Sequence, residues 1–178
     1  MAVLNLSRFV LVGQAPAKST PAGSPPLLVG PTPKRLMELG GLELREYVFL
    51  FDRRNVLDRW TGKQGNGDSF PLAEARKKAA LASMSDLVDR DIVFLGKSVA
   101  GAFGRGDVPY FERSKFGWGT KGSAVTFPHP SGVSHWWNEP SNHLKAKMFM
   151  GYLVEESRRR LSFGVPGLTP EVLRWMNS

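Results

Sequence analysis

The sequence predicts an α/β protein: a three-layer α/β/α sandwich around a central, mainly parallel sheet of four strands. Three observations predict it. Short apolar runs of strand length recur along the chain, helical patterns lie between them, and loops rich in glycine and proline separate the two. The 178 residues, 42% hydrophobic and 22% charged, suit one globular domain spanning 1–178, with 160–178 as a C-terminal extension carrying a short helix.

Taken in order, Phe9-Val10-Leu11-Val12 is an apolar run closed by Gly13, the pattern of a buried strand. Ala17 to Pro33 is broken by prolines and glycines and reads as a loop. A short helix after Pro33 carries Leu36, Met37 and Leu39 and stops at Gly40-Gly41. Tyr47-Val48-Phe49-Leu50-Phe51 reads as the second strand, and Arg53 to Ser69 as a long polar, glycine-rich loop of functional character. Pro71 opens a helix running through Leu87. Ile92-Val93-Phe94-Leu95-Gly96 is the third strand, followed by a short helix over Ser98 to Phe103. Ser123 to Phe127 is the fourth strand, and Asn142 to Arg159 a long helix. A terminal helix begins at Thr169-Pro170-Glu171, with threonine as cap and proline in the first turn. Right-handed crossovers bring three loops to one edge of such a sheet: Gly13 to Pro16, Asp52 to Asn66, and Pro128 to Asn138.

Composition narrows the chemistry. The chain has no cysteine, which excludes disulfides, thiolate catalysis and cysteine-held clusters. No apolar run approaches the ~20 residues of a membrane span, and Met1 to Arg8 is too short and too early-charged for a secretory leader. The expectation is a monomer without membrane attachment, cytoplasmic and associated with DNA or the nucleoid. Lys and Arg exceed Asp and Glu by 24 to 16, giving a net charge of +8 that suits a polyanion such as DNA.

Several motifs favour structure over chemistry. Gly96-Lys97-Ser98 after a strand resembles the end of a phosphate loop, but Asp91 stands where that loop needs glycine, so a tight strand-to-helix turn is expected. His129, His135 and His143 lack the spacing of a helical metal pair, no serine sits in a nucleophile elbow, and neither metal nor organic cofactor is expected.

The informative segments are Gly13-Gln14-Ala15-Pro16-Ala17 and His129-Pro130-Ser131-Gly132-Val133-Ser134. Each follows a strand and joins a tight turn to polar side chains. Together they resemble the two signature loops of the uracil-DNA glycosylase superfamily, Gly-x-x-Pro after the first strand and His-Pro-Ser after the last. Leu28-Val29-Gly30 with Leu36, Leu39 and Gly41-Leu42 is similar to a segment of the bacterial and archaeal branches. Ile92 to Gly104 resembles their third strand and turn, so the likeness runs to about Arg159.

The resemblance implies a monofunctional DNA glycosylase that flips uracil, or a 5-substituted or otherwise modified pyrimidine, out of single- or double-stranded DNA and hydrolyses its glycosidic bond. His129 is then the donor to the leaving base, with Gln14 and Ala15 beside it in the catalytic loop. Gly13 to Ala15 line the base's other polar edge through backbone groups, while Pro16, Ala17 and Leu28 shape the pocket. Ser131, Gly132, Ser134 and His135 contact DNA, Val133 fills the vacated stack, and Trp136 extends that wedge. The structural alternative for Trp136 and Trp137 is packing against the final helix, expected for at least one.

The departures set further expectations. Ala15 stands where many uracil-specific members carry an acidic residue that orients water, which implies slow turnover. Ala17 replaces a bulky tyrosine and leaves space beside C5 of the base. Leu28 replaces the stacking aromatic. Either Asp52 or Asn55 occupies the base-reading position at the second strand, with Asp52 otherwise a surface partner for Arg53 or Arg54. Two rival functions stand beside this one: a non-catalytic DNA-binding module on the same fold, and an α/β enzyme acting on free nucleotides.

Overall fold

The run Phe9-Val10-Leu11-Val12 forms the strand expected of it, β1 (Phe9–Gly13), buried along its whole length. The computed structural model describes residues 8–65, 67–116, 121–131 and 134–164. The terminal helix expected from Thr169 lies outside them, as do Gly132 and Val133 of the His-Pro-Ser loop.

Helix α1 (Pro31–Gly40) follows the proline-rich loop, with prolines in its first turn and Gly41 at φ 61° ending it. The amides of Gly41 and Leu42 donate back to the carbonyls of Glu38 and Met37, the left-handed glycine stop that the sequence signals. The next segment corrects the sequence expectation. Residues expected to form the second strand form α2 (Leu44–Leu50) instead, and the strand is β2 (Phe51–Asn55). Helical geometry buries Tyr47 and Leu50 together, while Leu44 and Val48 stay exposed. Arg53 satisfies the helix end: its Nη1 donates to the carbonyls of Tyr47, Val48 and Phe51 at 3.5, 3.3 and 2.9 Å.

The long loop after β2 contains a small antiparallel hairpin, β3 (Lys63–Gln64) with β4 (Gly67–Asp68). Helix α3 (Leu72–Ser83) starts after Pro71 and ends sooner than expected, before a turn to Arg90. Then come β5 (Asp91–Leu95), α4 (Lys97–Ala102), β6 (Ser114–Lys115) and β7 (Ser123–Phe127). A 3-10 turn over His135–Asn138 leads into α5 (Pro140–Gly164).

The main sheet has five strands in the order β2-β1-β5-β7-β6, not four. The first four are parallel, and the added two-residue β6 runs antiparallel along β7. Alternation along the strands divides the core. Phe9, Leu11, Val93, Leu95, Val125 and Phe127 pack with Leu36 of α1, Tyr47 of α2, and Met150 and Leu153 of α5. Val10, Val12, Ile92, Phe94 and Ala124 face the other way, against the alanines of α3 and Val99 of α4. Helices therefore cover both faces. No helix among the described residues is long and apolar enough to cross a membrane.

Candidate active site at the carboxyl edge of the sheet

Parallel pairing brings four strand ends together. The register sets Gly13 beside Asn55 and Leu95 beside Phe127, and His129 follows two residues later. Backbone bonds continue the β1–β2 pairing into the loops: the amides of Val56 and Leu57 donate to the carbonyls of Gly13 and Gln14, both at 2.9 Å. Each of those two carbonyls thus already accepts one backbone hydrogen bond, and Gly13, Gln14 and Ala15 still line the cavity at this edge.

A cavity of about 210 Å³ opens at this edge. It is lined by Gly13 to Ala17 after β1, by Asn55 and Leu95 at the ends of β2 and β5, and by His129 and Ser131 after β7. Of the expected base-contacting residues, all but two line it. Asp52 is the first exception. It is the second residue of β2, three positions before Asn55, where it pairs with Arg90 and, at 3.6 Å, with Arg8. That corrects both readings of Asp52, since its partners are neither the base edge nor Arg53 or Arg54. Leu28 is the second exception; its neighbours Leu27 and Val29 line the cavity in its place. Thr20, Ser24, Pro25 and Pro26 of the proline-rich loop fold over the same space as Ala17.

Asn55 lines the cavity with a polar atom left over. Its Oδ1 is buried and has no hydrogen-bond partner among the described residues, which costs about 1–3 kcal/mol until a ligand satisfies it. Gly13 makes room for this amide: a Cβ there would stand 2.9 Å from Asn55 Oδ1 and 2.7 Å from Leu27 Cδ2.

His129 is held from three sides. Its Nδ1 accepts from the Ser131 amide at 3.2 Å and lies 2.7 Å from Ser131 Oγ. Its carbonyl accepts from Trp137 Nε1 at 2.7 Å. Gly96, at φ 107°, packs against the ring, and a Cβ there would be 3.0 Å from His129 Cβ. Burial lowers the imidazole's pKa, against a smaller upward pull from Asp68. A neutral ring accepting at Nδ1 carries its proton on Nε2, which makes that nitrogen an N–H donor. The expected structural role of Gly96-Lys97-Ser98 follows too, because Lys97 reaches away to the Val108 carbonyl and lies over Tyr110.

The loop expected to contact DNA divides. Ser131 and Ser134 line a groove that opens from the cavity past Gln14, Lys63 and Asp68. His135 is exposed. Trp137 is buried against the core, and Trp136 packs on Tyr110, Phe111 and Trp137 with part of its surface free. Gly132 and Val133 lie outside the described residues.

The sequence reading missed two carboxylates in the cavity wall, Asp58 and Asp68. Lys78, at 2.9 Å from Oδ2, keeps Asp58 ionised at lower pH than usual. Lys63 does the same for Asp68, aided by Trp60 Nε1. The signal that pointed to them is the polar, glycine-rich loop itself, though not which of its residues turn inward. The described residues hold no group of three or more side chains placed for a metal. No protein-family model matches the chain, and no curated protein does, so function is argued from the site.

Proposed function

We propose that this chain is a monofunctional DNA glycosylase of the uracil-DNA glycosylase type, on the three-layer fold of that superfamily, acting on uracil or a modified pyrimidine flipped out of DNA. One observation carries the reading: a single cavity at the sheet edge joins the Nε2–H donor of His129 to the unsatisfied amide of Asn55. An amide offers an acceptor and a donor side by side, as the N–H and C=O edge of a pyrimidine requires. The volume of about 210 Å³ lies below the ~300–1,000 Å³ of sites for drug-sized ligands, which favours one base over a whole nucleotide.

The chemistry follows from charge development. As the glycosidic bond breaks, negative charge gathers on the base and positive charge on the sugar. A preorganised donor at the base oxygen stabilises that departure, and His129 is neutral and seated for it. Asn55 fixes the base edge, and the groove past Ser131, Ser134 and Lys63 suits the flanking phosphates. The net charge of +8 supports a DNA partner.

The test is a panel of oligonucleotides carrying uracil, thymine, 5-hydroxymethyluracil and cytosine, with abasic sites as the readout. Abasic sites at one or more of these bases are expected. Salt-sensitive DNA binding with no base release would favour the non-catalytic module, and neither binding nor release would favour the nucleotide enzyme.

A further inference from the structure

We infer that Asp68 is a catalytic residue of this site: its carboxylate orients the attacking water and accepts its proton, the part that Ala15 cannot take. The inference rests on the glycosylase reading above and names the group that reading lacks.

Ala15 brings only a methyl group to the cavity wall, so the carboxylates available there are Asp58 and Asp68. They differ in placement. Both are exposed and held by a lysine through one oxygen, but Asp58, tied through Oδ2 to Lys78 of α3, is the more exposed, at 75% of its side chain against 43% for Asp68. Asp68 lines both the cavity and the groove that opens from it, sharing each with His129. Both of its described contacts fall on one oxygen: Lys63 Nζ at 2.9 Å and Trp60 Nε1 at 3.3 Å both meet Oδ1. Oδ2 has no described partner. A carboxylate anchored through one oxygen, with the other left without a described partner in the lining of a cavity, is a candidate acceptor for a water.

The hairpin accounts for the anchoring. Gly62 at φ 96° and Gly65 at φ 59° turn the chain, and the Ser69 amide donates to the Gly62 carbonyl at 2.8 Å. Thr61 Oγ1 donates to the Ser69 carbonyl and closes the hairpin base. Trp60 is in turn covered by Lys18 Nζ, 5.5 Å from its ring centre. No hydrogen bond joins Asp68 to His129 among the described residues, although the two share the lining of both the cavity and the groove. In the proposed step the sugar and its attacking water occupy that shared space.

The step balances without a further reactant. The bond from C1′ to the base nitrogen breaks, and its electron pair leaves with the base, whose oxygen takes a hydrogen bond from His129 Nε2–H. The water oxygen bonds to C1′. Its proton passes to Asp68 Oδ2 and then to solvent, and the departed base takes a proton from solvent. One water is consumed, and the products are the free base and an abasic deoxyribose.

The experiment uses the full chain on a base that the panel shows to be released, under single-turnover conditions at saturating DNA and across a range of pH. Asp68→Asn is expected to slow excision by about 10²-fold or more with DNA affinity unchanged, the usual scale for losing a general base. The parent's rate should fall at acid pH as Asp68 protonates, and that limb should vanish in Asp68→Asn. The charged and titratable groups around this carboxylate are Lys63, His129, Asp58 and Lys18. Lys63→Gln, which also removes a cation from the groove, should weaken DNA binding and move the acid limb to higher pH, because Lys63 holds the Asp68 carboxyl low. Equal rates and pH profiles for parent and Asp68→Asn would overturn this inference and leave the glycosylase reading standing. Equal slowing of Asp68→Asn and Lys63→Gln with unchanged profiles would also overturn it, reducing the pair to a structural salt bridge. Failure of the parent to release any base would overturn both readings.

Discussion

Replacing Gly96 by alanine tests how the histidine is seated. Gly96 has φ 107° and ψ 155°, a region almost closed to other residues, where a side chain costs about 1–3 kcal/mol. The new Cβ would also stand 3.0 Å from His129 Cβ and 3.1 Å from Cδ2, so the ring must shift. It has little freedom to do so, because Nδ1 is held by Ser131 and the carbonyl by Trp137. At about 2–4 °C per kcal/mol for a chain of this size, the backbone strain alone lowers Tm by about 2–12 °C. A displaced donor should cost excision a further ~10- to 10²-fold, since misplacement near 1 Å reaches the upper figure. Thermal unfolding and single-turnover excision measure the two effects separately. Gly104→Ala is the control: Gly104 has φ 73°, but its Cβ would meet nothing within 4 Å. It should lower Tm and leave the rate unchanged. The reasoning fails if Gly96→Ala excises at the parent's rate, or if Gly104→Ala loses as much activity.

Three other substitutions or titrations separate site from scaffold. Asp52→Asn should lower stability by about 1–3 kcal/mol, short of the ~3–5 kcal/mol of a fully buried pair because Asp52 is 30% exposed, with excision intact; loss of base discrimination would show that Asp52 reads the base after all. Ala17→Tyr should suppress release of 5-substituted pyrimidines and spare uracil, because the new ring enters a cavity already narrowed by the proline-rich loop; a parallel loss on both bases would place C5 elsewhere. The His129 ring should titrate below its ordinary value of about 6.5 by NMR, since burial disfavours its charged form. The unfolded chain then binds the proton first as pH falls, so this histidine's contribution to stability declines from pH ~6.5 down to its folded midpoint and is level below that; a midpoint at or above 6.5 would contradict the burial argument.

The buried elements were the legible ones. β1 and β5 carry unbroken apolar runs because both of their faces meet helices, β7 keeps Ala124, Val125 and Phe127 around a buried Thr126, and α1 announces its end with Gly40-Gly41. β2 was misplaced because its own residues, Phe51-Asp52-Arg53-Arg54-Asn55, are those of a half-exposed edge strand. The apolar run just before it satisfies a short helix as well as a strand. β6 has only two residues and no pattern to read. Within the site, Gly13 and His129 follow directly from the ends of well-marked strands. Choosing Asn55 over Asp52 needed the register of β1 with β2, which sequence spacing leaves open by a few residues. Asp68 reaches the cavity through a hairpin of two-residue strands, a tertiary placement with no local signature.

The central claim is that a flipped pyrimidine lies in this cavity and departs with its oxygen bound to His129 Nε2–H. Comparing the parent with His129→Ala tests it most directly, in single-turnover release of free base from saturating DNA, with binding measured alongside. The account predicts a rate lower by about 10²–10³-fold at unchanged DNA affinity, as for loss of one preorganised donor. Equal rates of base release from the two proteins would contradict it.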